Sequence, residues 1–119
     1  MQEIKFIRLE DINQSQTSHG SGQKQVFISN IDTRTCLTQF AFGTLKHNEG
    51  CEEHTHPSMD EYFYFISGNG EYHFEEYILK IVPKMFLKIP SNTKHSIKNT
   101  GKKKLEFIYF GISLNDKLA

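Results

Sequence analysis

Nine short apolar or alternating runs follow one another along this chain of 119 residues, each separated from the next by residues that favour turns. Close-set runs of this length are typical of strands, and no segment shows the longer periodicity of a helix. The connecting segments are rich in Asn, Asp, Gly and Pro. The sequence therefore predicts an all-β protein. We expect strands over residues 4–9, 25–29, 36–45, 62–67, 71–74, 77–82, 85–89, 95–97 and 105–112.

The segment 11–25 differs from the rest because it carries three serines, two glycines and mostly polar neighbours. This composition predicts a flexible loop rather than a strand, placed near one end of the fold. Two interpretations stay open. The loop is either a lid that carries His19 or Lys24 toward a substrate, or an ordinary surface connection.

Composition excludes several classes of partner. Fourteen basic and fourteen acidic residues balance, so the electrostatic attraction that drives nucleic-acid binding is small. No apolar segment approaches the roughly 20 residues that cross a bilayer, and the N-terminus lacks a signal-peptide core. We expect a cytoplasmic protein with no nucleic-acid or membrane partner, whose Cys36 and Cys51 remain free thiols.

Three histidines and one glutamate have the chemistry and spacing of metal ligands. His54 and His56 are two residues apart, which places both rings on one face of a strand. Glu61 follows, and His95 comes after a Pro90-x-Asn92 turn. Imidazole nitrogens with one carboxylate suit a divalent transition metal and leave positions open for water or substrate. The sequence does not select the ion among Zn, Fe, Ni, Mn, Co and Cu.

The spacing of these residues resembles the paired motifs of the cupin superfamily. Motif one spans about 50–68 and motif two about 84–99. The resemblance implies a single cupin domain over 1–119, folded as a double-stranded β-helix or jelly-roll barrel, with His54, His56, Glu61 and His95 binding one ion at its mouth. The chain departs from the pattern where the family has glycine, at Asn48, Lys84 and Asn92.

Strand alternation predicts which side chains line the cavity. If Glu61 points inward, Phe63 and Phe65 do so too, and Ile97 and Asn99 share a face with His95. His73 is either a further cavity residue or a half-exposed strand histidine. The predicted substrate pocket comprises Phe63, Phe65, His73, Ile97 and Asn99.

The opposite face of the same strands is also apolar. Its members are Tyr62, Tyr64, Ile66, Ile108, Phe110 and Ile112. Either a second sheet or another subunit must cover them. Cupins commonly dimerise through such sheet contacts, so the resemblance implies a homodimer.

Two classes of function follow from the resemblance. The first is a metal-dependent enzyme of the oxygenase or isomerase type that acts on a small oxygenated molecule, such as a hydroxy acid, a phenolic compound or a sugar derivative. Glu61 is then either a permanent ligand or a catalytic base. The alternative is a non-catalytic cupin that binds or senses a small molecule or a metal.

Overall fold

The computed structural model describes residues 4–114, which form nine strands and two short 3-10 turns. The turns are Leu9–Asp11 and Asn30–Asp32. The strands are β1 (Ser15–Gln16), β2 (Gln23–Ser29), β3 (Leu37–Leu45), β4 (Met59–Ser67), β5 (Gly70–Phe74), β6 (Ile78–Ile81), β7 (Phe86–Ile89), β8 (His95–Lys98) and β9 (Leu105–Ser113). The all-β prediction is confirmed.

The strands form two sheets. One has six strands in the order β1-β2-β3-β9-β4-β7, and the other has three in the order β6-β5-β8. All the strand pairs are antiparallel. The sheets pack against each other through aromatic rings: the rings of Phe63 on β4 and Tyr72 on β5 lie 5.5 Å apart.

The core lies between the sheets and follows the predicted alternation. On β4, Phe63 and Phe65 are buried, whereas Tyr64 and Ile66 are 41% and 43% exposed. Each buried aromatic ring contributes a large apolar area to the stability of the fold. The buried cluster comprises Leu45, Phe63, Phe65, Tyr72, Ile81, Ile89, Ile97, Leu105 and Phe107.

The N-terminal strand prediction is wrong. Residues 4–8 form no strand, and Ile4 and Phe6 are each 90% exposed. An alternating pattern makes a strand only when a sheet edge pairs with it. Within the described residues no strand pairs with this segment, which contacts β2 through the Lys5 side chain instead. The segment 11–25 is also more ordered than predicted: β1 pairs with β2, and Gly20 forms a bridge with Cys51.

The three positions where the chain lacks the family's glycines share one backbone conformation. Asn48, Lys84 and Asn92 have φ values of 68°, 69° and 63°, and they are the non-glycine residues with positive φ among residues 4–114. Asn tolerates this left-handed region better than Lys does. All three positions therefore have a backbone conformation that suits glycine, and Lys84 carries the largest conformational strain of the three.

Candidate metal centre

His54, His56, Glu61 and His95 come together at one end of the barrel. One ligand-type atom from each of the four side chains lies within 4.8 Å of the others. Glu61 is on β4 and His95 begins β8, while His54 and His56 lie in the connection before β4. The strand expected for the histidine pair is reduced to a single bridge between His54 and His95.

Backbone carbonyls fix the tautomers of two of the imidazoles. The Nδ1 atom of His54 lies 2.7 Å from the Glu52 carbonyl oxygen, and that of His95 lies 2.7 Å from the Thr93 carbonyl oxygen. A carbonyl oxygen only accepts, so each Nδ1 donates its proton. In the neutral rings the lone pair is then on Nε2, the nitrogen that a metal would bind.

The Glu61 carboxylate faces the lone pair of His95 and also lies near the His56 ring. Its Oε1 lies 3.2 Å from Nε2 of His95 and 3.4 Å from Nε2 of His56. Despite this distance, the buried Nε2 of His95 has no hydrogen-bond partner. Two acceptors that face each other repel unless a cation lies between them. The donor set therefore fits a divalent metal ion.

The local environment keeps two of the histidines neutral. Burial lowers the pKa of His54, and the neighbouring His95, His56 and His19 lower it further, against the carbonyl of Glu52. Burial also lowers the pKa of His56, although Glu61 opposes this. Neutral imidazoles are the metal-binding form, so the ligands are available at neutral pH.

A glycine opposite Glu61 leaves space in the cavity beside the carboxylate. Gly111 on β9 pairs directly with Glu61 on β4. A Cβ atom at Gly111 would collide with Met59 Sδ and Thr38 Oγ1. Any larger residue at this position would shift side chains beside the carboxylate.

A cavity of about 300 Å³ opens onto the four residues. Of the predicted pocket residues, Phe63 and Ile97 line it. Phe65, His73 and Asn99 lie outside its lining. Phe65 is fully buried deeper in the core, and the His73 ring contacts Glu71 at 3.0 Å instead.

Asn99 has a structural role. Its side-chain amide nitrogen donates to the carbonyls of Leu45 and Lys103, and its oxygen accepts from the Gly101 amide, each at 2.8 Å. The Asn99 side chain is fully buried, and these hydrogen bonds satisfy both its amide nitrogen and its oxygen. Asn99 therefore fixes the turn after β8 rather than contacting a ligand.

His19, from the segment 11–25, lies at the mouth of the cavity. Its ring stacks on that of His54, with centroids 4.5 Å apart and an interplanar angle of 18°. The Glu52 amide donates to the His19 carbonyl at 2.8 Å, which holds the segment in place. Lys24 also lines the cavity. The sequence had left open whether either side chain points toward the cavity.

The sequence interpretation did not assign two tyrosines to the cavity, Tyr72 and Tyr109. Burial first, and then the negative charge of Glu61, raise the pKa of Tyr72 well above its usual range and that of Tyr109 to about 12. Both hydroxyls therefore stay protonated and can donate hydrogen bonds. The alternation of side chains along β9 could have identified Tyr109 as a cavity residue, because it shares a face with the buried Phe107.

Cys51 also lines the cavity as a free thiol. Burial is the main cause that raises its pKa above the usual range. A protonated thiol is a weak nucleophile and a poor metal ligand. Cys51 is thus not part of the candidate ligand group.

Comparisons with known structures show the same fold. A predicted oxalate decarboxylase from Thermotoga maritima superposes with a TM-score of 0.85 at 24% identity, over 92% of this chain and 100% of that chain. The polyketide cyclase RemF from Streptomyces resistomycificus gives 0.80 at 12% identity, over 95% and 81%. KdgF from Halomonas sp. gives 0.74 at 17% identity, over 94% and 98%.

No curated protein matches the chain in sequence. Within residues 4–114, no helix is long and apolar enough to span a membrane. A further matching structure carries a double-stranded β-helix domain, which confirms the predicted jelly-roll architecture. The sequence profile of the cupin domain matches residues 41–111, more than half of the chain, and with the fold and the two motifs it shows that this protein belongs to the cupin family.

Proposed function

We propose that His54, His56, Glu61 and His95 bind one divalent metal ion, and that the protein is a metal-dependent enzyme acting on a small oxygenated molecule. One observation carries this proposal: the buried Nε2 of His95 has no hydrogen-bond partner and faces a carboxylate. A buried acceptor left unsatisfied is unfavourable by about 1–3 kcal/mol. A coordinated cation removes that penalty and the repulsion together.

The cavity supports catalysis at the metal rather than at a side-chain nucleophile. Phe63, Phe107 and Ile97 form an apolar wall next to the charged centre. An apolar wall excludes water and strengthens electrostatic interactions inside the cavity. A bound metal would supply Lewis-acid or redox chemistry at a substrate oxygen.

The side chains around the centre have separate roles in this proposal. Glu61 is a ligand, and on leaving the metal it would accept a proton from substrate. The protonated hydroxyls of Tyr72 and Tyr109 would donate hydrogen bonds to substrate oxygens. His19 shields His54 from solvent at the mouth. Such groups suit an isomerase or oxygenase acting on a hydroxy acid, a phenolic compound or a sugar derivative.

The structural relatives support this class without selecting a reaction. One is described as a predicted oxalate decarboxylase and another as a polyketide cyclase, and both names refer to oxygenated substrates. At identities of 24% and 12% these relatives show the fold alone. The substrate class of this chain must therefore be inferred from the residues that line its own cavity.

The outer face of the six-stranded sheet supports a second proposal, a homodimer. A row of aromatic rings crosses this face from β2 to β7, with neighbouring centroids 4.9–6.4 Å apart. The row consists of Phe27, Phe40, Phe110, Tyr62 and Phe86. We propose that a second copy of the chain covers it, since the second sheet packs on the opposite face.

The decisive test is elemental analysis of protein purified without a metal-binding tag. We expect about one equivalent of a divalent transition metal per chain. Chelation should then remove turnover, and one particular metal should restore it. Turnover that is unchanged after complete removal of metal would refute the proposal.

Glu61→Gln separates the two roles of the carboxylate. If Glu61 is only a ligand, the variant should bind metal more weakly and regain turnover at high metal concentration. If it is a base, the variant should keep metal and lose turnover. Metal retained by the wild-type protein without turnover on any candidate substrate would favour the non-catalytic binding function.

A further inference from the structure

A lysine and a glutamine on the inner face of the six-stranded sheet form a polar pair inside the cavity. Lys24 lies opposite Gly43 on β3, and Gly43 lies opposite the buried Phe107 on β9. Residues in this row share one face of the sheet, so the half-buried Lys24 side chain belongs to the inner face. Its Nζ donates to Gln39 Oε1 at 3.2 Å.

The Lys24 ammonium has no negative partner. Among residues 4–114 it forms no ion pair, and it is the one Lys or Arg side chain among the described residues that line the cavity. A lysine with its side chain partly withdrawn from water is normally paired with an acid. Here its identified partner is a neutral amide, and no carboxylate of the described residues forms an ion pair with it.

Gln39 connects this charge to the hydroxyl of Tyr109. Both side chains line the cavity, and the Gln39 amide partly opposes the rise in the pKa of Tyr109. Lys24, Gln39 and Tyr109 therefore form a continuous polar strip on the cavity wall. The strip offers an ammonium, an amide and a protonated hydroxyl, all of which can donate to an anion.

We propose that this strip binds the carboxylate of a monoanionic substrate. A single positive charge matches one carboxylate better than a phosphate dianion, for which arginine or several donors would be expected. Phe63 and Phe107 line the same cavity and suit an apolar, ring-sized body. The substrate class is thus a small carboxylic acid with an aromatic or compact apolar body and an oxygen donor elsewhere.

This inference rests on the proposed function in one respect: the oxygen donor of the substrate is the group that would meet the metal. Recognition of the carboxylate by Lys24 does not depend on the metal. The two proposals can therefore fail separately.

The test uses a matched pair of probes, 4-hydroxybenzoate and its neutral amide 4-hydroxybenzamide, titrated calorimetrically into the zinc-loaded chain of 119 residues. We expect the acid to bind at least about 10-fold more tightly than the amide. Lys24→Met should weaken binding of the acid about 10-fold to 100-fold, since a hydrogen bond to a charged group is lost. It should leave binding of the amide unchanged.

Two further variants control for charge and folding. Lys80→Met removes an exposed lysine on β6 and should change nothing, while Lys24→Arg should retain preference for the acid. Melting curves check that each variant is folded, and Lys24→Gln replaces Lys24→Met if the latter is not.

Equal binding of acid and amide, no binding of the acid at millimolar concentration, or an unchanged affinity in the folded Lys24 variant would each overturn the proposal. If the protein retains no zinc, the same titration is run on the metal-free chain. Binding of the acid that still depends on Lys24 would then support the anion site while the metal centre fails. Loss of that dependence in protein that does hold zinc overturns the anion site alone.

Discussion

The backbones of His54 and His95 exchange two hydrogen bonds, each with an N to O distance of 3.0 Å. This bridge joins two residues that lie in different sequence motifs. It places their imidazoles side by side, with ring centroids 4.3 Å apart, through main-chain contacts alone. The candidate metal site is therefore organised by the fold, and single substitutions of its proposed ligands should affect metal binding more than folding.

Replacing His56 with alanine tests this separation. Its backbone is not part of the bridge, and its carbonyl still accepts from the Asn92 amide at 2.8 Å. We expect His56→Ala to abolish stoichiometric metal in elemental analysis. The free energy of unfolding of the metal-free protein should change by only about 1 kcal/mol or less.

His73→Ala is the matched control, because His73 is also a partly buried histidine but does not line the cavity. It should keep full metal content. Full occupancy in His56→Ala, or equal loss in both variants, would contradict the assignment of ligands.

The stability of the metal-free protein should depend on pH through His54 and His56. Both have folded-state pKa values below the usual 6.5. The unfolded chain therefore binds protons on these groups before the folded protein does, so the free energy of unfolding falls as the pH drops below about 6.5. Above that pH both groups are neutral in the folded and in the unfolded chain, so they do not make the free energy of unfolding depend on pH.

Denaturant titrations of metal-free protein between pH 5 and pH 8 measure this effect. His56→Gln should show a shallower slope below pH 6.5, because one titrating group has been removed. A stability that rises as the pH falls through this range would contradict the assigned pKa directions. Zinc should make the wild-type slope steeper, since protons compete with the metal for the same nitrogens.

Much of the fold was predictable because its signals are local. The alternation along β4 identified the inward Phe63 and Phe65 and the outward Tyr64 and Ile66. Turn residues marked most of the strand boundaries to within two or three positions. The four candidate ligands were predicted from residue type and spacing, and the structure places them within 4.8 Å of one another.

The failures have a common cause, because each depended on long-range partners. Residues 4–8 alternate like a strand, but within the described residues no strand pairs with them. Asn99 shares the parity of His95, yet backbone carbonyls around its turn satisfy its amide. Nothing in the composition of segment 11–25 specified that β1 would pair with β2 and bring His19 onto His54.

Lys84 offers a direct test of backbone strain. Its φ of 69° is in the left-handed region, in the turn between β6 and β7, where its amide donates to the Phe65 carbonyl at 2.7 Å. Such a conformation is unfavourable by about 1–3 kcal/mol for a non-glycine residue. A glycine relieves this strain, but the greater flexibility of its unfolded state reduces the gain by about 0.5–1 kcal/mol. Lys84→Gly should therefore increase the free energy of unfolding by about 1 kcal/mol.

The control for this prediction is Lys80→Gly, in the strand β6 just before the turn. A glycine within a strand should destabilise the protein by about 0.5–1 kcal/mol. Urea denaturation of the three proteins gives the comparison. A destabilised Lys84→Gly would show that the Lys84 side chain contributes more than its backbone strain removes.

The aromatic row on the outer sheet face predicts the oligomeric state. Phe86 ends this row with 62% of its surface exposed, so Phe86→Glu should disturb an intermolecular contact with little effect on the monomer core. We expect light scattering to report a dimer for the wild-type protein and a dissociation constant raised at least about 10-fold in Phe86→Glu, because burying an unpaired carboxylate is unfavourable. Tyr77→Glu is the matched control, since Tyr77 is 60% exposed and contacts Phe74 of β5, at the smaller sheet. A wild-type protein that is monomeric at high concentration, or a dimer equally weakened by both variants, would show that the aromatic row is not the interface.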